Sequence, residues 1–319
     1  MPSELKQKKI LANKRVLVLV GPTAVGKTEL AIRLAEKLEG EIVSADSRLL
    51  YCGMDIGTAK PTKNEMARAQ HHMIDLAEPN DIWSLATFQQ KMLATIEDIQ
   101  SRGKLPIVAG GTGQYIRSLM EGWIIPTVLP DPRLREVLEQ FGREIGAAEL
   151  HRRLTLIDPN ASAKMDANNL RRSIRALEVI FTTGELFSTQ KDKQPPDLDF
   201  KIIGLSRPRE ELYSRVDLRI EAMFETGFVD EVKNLLDKGY NQDLPTLSAI
   251  GYREVIQFLN GDITLEETKV QMRKKTREFI RRQANWFKPN DPNIEWHAMT
   301  PDPLDEVMQS ILSWQAGIK

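Results

Sequence analysis

The run "RVLVLV" at residues 15–20 passes directly into "GPTAVGKT" and then into "ELAIRLAEKL", and this succession limits the fold more than any other part of the 319-residue chain. An uninterrupted apolar run bounded by glycine reads as a buried strand, and Leu30, Ala31, Leu34, Ala35 and Leu38 then recur at helical spacing. The spacing G-x-x-x-x-G-K-T between them marks a tight turn from strand into helix. Gly21 and Gly26 permit backbone angles that point successive N–H groups inward, while Lys27 and the helix N-terminus add positive potential. Gly21, Pro22, Thr23, Ala24, Val25, Gly26, Lys27 and Thr28 therefore read as a phosphate-binding loop of the nucleotide-binding, ATP-binding type, with Thr28 placed to ligate Mg²⁺. Such a loop selects phosphate and leaves the rest of the ligand unspecified.

The alternation continues along the chain. "EIVSAD" ends on Asp46, and "KLPIVAGGTG" follows the helix-like "SLATFQQKMLATIEDIQSRG". Strands alternating with helices predict an α/β fold, a P-loop NTPase-like parallel sheet with helices on both faces. Pro126, Pro130 and Pro132 then break the pattern, a polar helix-forming stretch follows, and "KDKQPPDLDF" closes it before "FKIIGLS" resumes a strand. The expected division is a core of residues 1–121 and 198–319 around a mostly helical insertion of 122–197, with a helical C-terminal region from Pro208 onward.

The formal net charge is −1, so any nucleic-acid partner must be met by a local patch. Cys52 is the only cysteine, which excludes an internal disulfide and a cysteine-rich zinc module. The N-terminal "MPSELKQKKILANKR" has no apolar signal core, and no later run approaches a membrane span. A soluble, cytoplasmic monomer with no membrane partner is the expectation.

Candidate polar residues sit at defined places in this frame. Asp46 is either the second acidic group that holds Mg²⁺ beside a phosphate loop or a cap for a helix starting at "SRLL"; position alone leaves both open. Arg215 and Arg219 are four apart and share a helix face, for a ligand or for solvent. "NNLRRSIRALEV" places Arg171, Arg172 and Arg175 on a predicted helix of the insertion. "SAIGYRE" offers Arg253 together with Tyr252, which either stacks on RNA or packs on the core. The segment "QMRKKTREFIRRQANWFK" sets Arg273, Lys274, Lys275, Arg277, Arg281 and Arg282 against one acid, Glu278, the strongest local positive charge in the chain. His71, His72, His151 and His297 show no metal-ligand spacing.

Taken in order, "GPTAVGKT", "SADSRLLYCGMDIGTAKPT", "HHMIDL", "GGTGQYI", "RSIRALEV", "IGYRE" and "RRQANWF" resemble the tRNA dimethylallyltransferase (tRNA isopentenyltransferase) family, bacterial type, over nearly the whole chain. The most specific piece is "DSRLLYCGMDIGTAKP". The resemblance implies transfer of a dimethylallyl group from dimethylallyl diphosphate to N6 of adenosine 37 in the tRNA anticodon stem-loop. Diphosphate is released, Mg²⁺ is the cofactor and ATP is not required. It implies that Asp46 accepts the N6 proton, and that Lys27, the loop amides and Mg²⁺ on Thr28 stabilise the leaving diphosphate. Thr23 would face that diphosphate, Arg117 would reach it, and Arg215 or Arg219 would clamp it. Implied tRNA contacts are Asp46, Ser47, Arg48 and Leu49; Thr112, unless it is a plain turn residue; Arg135; Arg171, Arg172, Ser173, Ile174 and Arg175; and Ser248, Ala249, Ile250, Gly251, Tyr252 and Arg253. The zinc finger that eukaryotic members often carry is missing. The rivals are an ATP-dependent small-molecule or nucleoside kinase, an RNA-binding protein with a nucleotide switch, and an adenylate dimethylallyltransferase that prenylates free nucleotide.

Overall fold

The structure, a computed structural model, describes residues 14–126, 131–190 and 193–317. The polar N-terminal stretch, Pro130 and the start of the Pro-Pro segment lie outside them.

Six strands form one parallel sheet: β1 (Arg15–Val20), β2 (Gly40–Ser44), β3 (His71–His72), β4 (Leu105–Ala109), β5 (Asp199–Ser206) and β6 (Ile294–Ala298), in the order β3-β2-β4-β1-β5-β6. Val16 to Val20 of β1 are entirely buried, which explains why that strand reads as a continuous apolar run: a central parallel strand is covered on both faces. The crossovers are α1 (Lys27–Leu38), α2 (Lys63–Arg68) and α3 (Leu85–Ser101). Their starts are set locally. Thr62 and Glu65 form a reciprocal capping box at α2, and the Ser84 hydroxyl accepts from the Thr87 amide at α3.

After α4 (Gly113–Glu121) come α5 (Pro132–Ile145), α6 (Ala147–Ile157), α7 (Pro159–Ser162) and α8 (Leu170–Thr183). The chain separates into two compact units, with Ser118–Pro196 as the second, so the division falls within α4 rather than at residue 122. This second unit has its own core of Leu138, Leu150, Leu154, Ile174, Leu177 and Phe187. Pro132 opens α5 behind an Asp131 cap, and Asn169 caps α8, which ends at Gly184 with φ +74°. Glu178 is 0% exposed; burial works against its charge, but Arg175 and Arg135, each at 2.7 Å, hold its carboxyl below the usual range.

The first unit continues with α9 (Arg209–Glu225), α10 (Phe228–Asp237), α11 (Tyr252–Leu259), α12 (Leu265–Gln283) and α13 (Leu304–Ala316). The region beyond Pro208 is helical as expected except for β6, which the sequence reading did not include and which pairs with β5 from Ile202↔Ile294 to Ser206↔Ala298. Its sequence "IEWHA" hides it, because an edge strand with Glu295 and His297 on one face lacks a long apolar run. Among the described residues no helix is long and apolar enough to cross a membrane.

Candidate active site

The C-terminal ends of β1, β2, β4 and β5 deliver the phosphate loop, Asp46, the glycine loop 110–113 and Arg207, the edge at which open α/β sheets carry their ligands. The loop leaving β1 is shaped from outside. Arg215 Nε donates to the Ala24 carbonyl at 2.7 Å and Arg207 Nε to the Val25 carbonyl at 2.8 Å, while Lys27 Nζ donates to the carbonyls of Gly21 (2.9 Å) and Pro22 (2.8 Å). These four carbonyls are taken up by cations, and two of the loop's amides are also engaged, Thr23 N–H on Gln283 Oε1 at 2.8 Å and Val25 N–H on the Pro22 carbonyl at 3.3 Å. A Cβ at Gly21 would stand 2.6 Å from the Leu205 carbonyl, so the first glycine is required for the loop to pass β5. Ala24 sits at φ +65°, an αL conformation that alanine adopts at a cost and that the two arginines secure. No side chain caps α1, so its first-turn N–H groups stay open toward the loop.

Burial lowers the Lys27 pKa to about 8; Asp46 opposes this and Arg219 adds to it. The ammonium therefore sits in a pocket that lacks a full counter-charge, which is the condition for binding an anion. Surrounding protein and then Arg215 also lower the pKa of Arg219, although part of its side chain faces solvent. Arg215 has its Nε engaged on the loop backbone, whereas Arg219 takes no side-chain hydrogen bond among the described residues.

Asp46 follows β2, and residues 47–50 form a turn, not a helix, so the helix-cap alternative falls. Asp46 Oδ1 accepts the Arg48 amide at 2.9 Å, and the second oxygen takes no partner among the described residues. Arg48 spreads its guanidinium over the carbonyls of Thr246 (3.3 Å) and Pro245 (3.5 Å). The loops carrying Asp46 and Thr112 are joined, because Ser47 N–H donates to Thr112 Oγ1 at 3.3 Å and Gly110 lies 2.5 Å, by its missing Cβ, from the Ala45 backbone. Burial lifts the Tyr115 phenol to about 12, so it remains a neutral group near Tyr51, Arg48 and Asp46.

Several expected contacts have other duties. Arg117 bonds the Asp291 carboxylate and the Trp286 carbonyl, each at 3.0 Å, and lies over the Phe287 ring, which ties α4 to the chain after α12. Tyr252, expected to stack on RNA, is 0% exposed: it meets Phe228 edge-on and donates to Glu231 Oε1 at 2.6 Å. Ala249 and Gly251 are buried as well, leaving Ser248 and Arg253 exposed and Leu49 and Ile250 half-buried. In the helical unit, Ser173 and Ile174 belong to the core and Arg135 and Arg175 serve Glu178, so Arg171 and Arg172 are the exposed arginines of that cluster.

The basic segment on α12 is also partly spent. Arg273 pairs with Glu221 and Asp217, Arg277 with Asp217 at 2.6 Å, and Lys275 with the buried Glu254, while Lys274, Arg281 and Arg282 remain exposed.

Three residues with evident roles carry no signal in the sequence reading. Arg207 could have been suspected from its place just past β5. Glu231 accepts the backbone amides of Asp55, Ile56 and Gly57 at 2.9, 2.7 and 3.2 Å, fixing the "DIGT" turn from 174 or more residues away. Gln283 bonds two loops of the cleft at once.

Among the described residues no group of three or more His, Cys, Asp or Glu could hold a metal by itself. The exposed Thr28 hydroxyl, without a partner among the described residues, fits Mg²⁺, which takes most of its ligands from phosphate and water.

The protein-family model described as IPP transferase matches residues 49–290. A tRNA dimethylallyltransferase of Roseiflexus sp. (strain RS-1) is 50% identical over 279 residues, covering 88% of this chain and 91% of that one. The full-length tRNA isopentenylpyrophosphate transferase of Bacillus halodurans superposes with a TM-score of 0.70 at 39% identity, with 96% of each chain covered. A eukaryotic dimethylallyltransferase solved acting on tRNA gives a TM-score of 0.80 at 26% identity, covering 96% of this chain and 80% of that one.

Proposed function

The chain belongs to the IPP transferase family of tRNA dimethylallyltransferases, and from that premise we propose that it transfers the dimethylallyl group of dimethylallyl diphosphate to N6 of adenosine 37 in the tRNA anticodon loop. The observation that carries this reading is that the same edge of the sheet carries, at the ends of the two strands that flank β4, a phosphate loop after β1 and one unshared carboxylate oxygen, that of Asp46, after β2.

The adenine amino group is a weak nucleophile because its lone pair is delocalised into the ring. As that lone pair forms the bond to C1 of the donor, the C1–O bond breaks, the electron pair leaves with diphosphate, and the free oxygen of Asp46 takes the N6 proton. Negative charge grows on the leaving oxygens, where Lys27, Arg219 and the first-turn amides of α1 would supply positive potential. Thr28 would hold Mg²⁺, which supplies further charge neutralisation on the diphosphate. Reaching N6 requires the base to leave the anticodon stack at a cost of a few kcal/mol, and the exposed residues that can offer compensating contacts are Arg253, Ser248, Lys274, Arg281 and Arg282 in one unit and Arg171 and Arg172 in the other.

The test is direct. Unmodified tRNA with adenosines at positions 36 and 37, incubated with labelled dimethylallyl diphosphate and Mg²⁺ in the absence of ATP, becomes labelled at adenosine 37. Folded protein that transfers nothing to it would overturn the reading. Acceptor-dependent ATP consumption without prenyl transfer would replace it with a kinase, and labelling of free AMP in preference to the stem-loop would move the acceptor.

A further inference from the structure

Gln283, the last residue of α12, is 6% exposed, and its amide makes two bonds that span the cleft. Oε1 accepts the Thr23 N–H at 2.8 Å, and Nε2 donates to the Gly111 carbonyl at 3.0 Å. A Cβ on Gly111 would run into Nε2 and come within 4.0 Å of Lys27 Nζ, so the amide lies in the narrow space between the two loops and beside the pocket's cation.

Each end of this bridge continues to a reacting group. Thr23 belongs to the loop that grips the leaving diphosphate. Gly111 precedes Thr112, whose hydroxyl receives the Ser47 amide, and Gly110 rests on Ala45, so the glycine loop carries the position of Asp46 between them. No other side chain among the described residues hydrogen-bonds both the phosphate loop and the 110–113 loop. We infer that Gln283 is a positioning residue for the transfer, setting the register between the diphosphate loop at Thr23 and the loop that supports Asp46.

An amide is the side chain this task needs, because the two targets are of opposite kind: an N–H that requires an acceptor and a C=O that requires a donor. Methionine fills the volume with neither group. Glutamate, when ionised, still accepts from Thr23 but turns a second lone pair on the Gly111 carbonyl; protonated, it regains a donor. A displacement of about 1 Å between reacting groups costs on the order of a hundredfold in rate, whereas ground-state affinity is spread over many contacts. The expected signature is therefore a loss in kcat with little change in KM.

The inference rests on the transferase reading, and the experiment separates the two. Wild-type, Gln283→Met and Gln283→Glu proteins are assayed for dimethylallyl transfer to an anticodon stem-loop, with kcat and both KM values determined between pH 6 and 8. If the wild type transfers nothing, the functional reading fails. Given an active wild type, Gln283→Met lowers kcat by about ten- to a hundredfold and leaves both KM values within about threefold. For Gln283→Glu kcat falls at least as far with both KM values again within about threefold, because the ionised carboxylate accepts from Thr23 but turns a lone pair on the Gly111 carbonyl. A wild-type kcat in Gln283→Met or Gln283→Glu, or a loss confined to KM, would overturn the inference; the glutamate variant supplies the readout even if the methionine variant fails to fold.

Discussion

Burial brings the Lys27 pKa down to about 8, so in the free protein the ammonium is present at pH 7 and mostly lost by pH 9. Its folded value lies below the ordinary lysine value, so the charge costs folding stability below about pH 8, and that cost disappears above the unfolded value near 10.5. An incoming diphosphate selects the charged form. Its affinity for wild type relative to Lys27→Arg, a ratio that cancels the ligand's own titration, should fall by up to about tenfold between pH 7 and 9 in pyrophosphate calorimetry. A constant ratio would place the ammonium outside the binding step. For Asp46 the test is chemical. Asp46→Asn keeps an acceptor for the Arg48 amide yet cannot take a proton, so transfer should drop by roughly a hundredfold or more while tRNA binding stays within a few-fold. Retained transfer would mean that another group accepts the N6 proton.

At the scale of elements, α12 shows how a charged segment is divided between structure and function. Its Arg273, Lys275 and Arg277 face Asp217 and Glu221 on α9 and Glu254 on α11, while Lys274, Arg281 and Arg282 are exposed and are the proposed contacts to the RNA backbone. Changing these three to Gln should weaken stem-loop binding and lower the slope of log K against log salt by up to about 0.7–0.9 per lost phosphate contact, whereas Arg273→Gln should leave the slope unchanged. Equal slopes for the two variants would return the whole helix to the RNA. The sequence could not make this division, since the neutralising acids lie up to 60 residues away along the chain. The same holds for Tyr252, whose burial depends on Phe228 and on Gly57, against which both rings pack. What was legible was local: the strand, loop and helix around Gly21 to Thr28, and Asp46 at the end of an apolar run, where chain order and strand-end position coincide. β6 was illegible because its partner β5, and Gly204 that admits Trp296 against it, are remote in sequence.

For the whole molecule, the two units invite separation at one place. The chain after α4 passes Trp123, and it returns through Lys193, which bridges Trp123 in antiparallel fashion; the Gln194 amide donates to the Gly122 carbonyl at 2.8 Å. Two segments already paired in this way can be joined by a tight turn at little entropic cost. The described residues between them carry their own apolar core and the Glu178 ion pairs. A chain in which residues 124–192 are replaced by an Asn-Gly turn should therefore keep the sheet, the phosphate loop and Gln283, melt cooperatively, and bind pyrophosphate within about threefold of wild type. It should lose Arg171 and Arg172 along with the rest of the helical unit. Stem-loop affinity should then fall by about tenfold or more at moderate salt, and transfer to the stem-loop should fall with it. Undiminished stem-loop binding would confine RNA recognition to the sheet-bearing unit, and a parallel loss of pyrophosphate binding would show that the helical unit supports the phosphate loop.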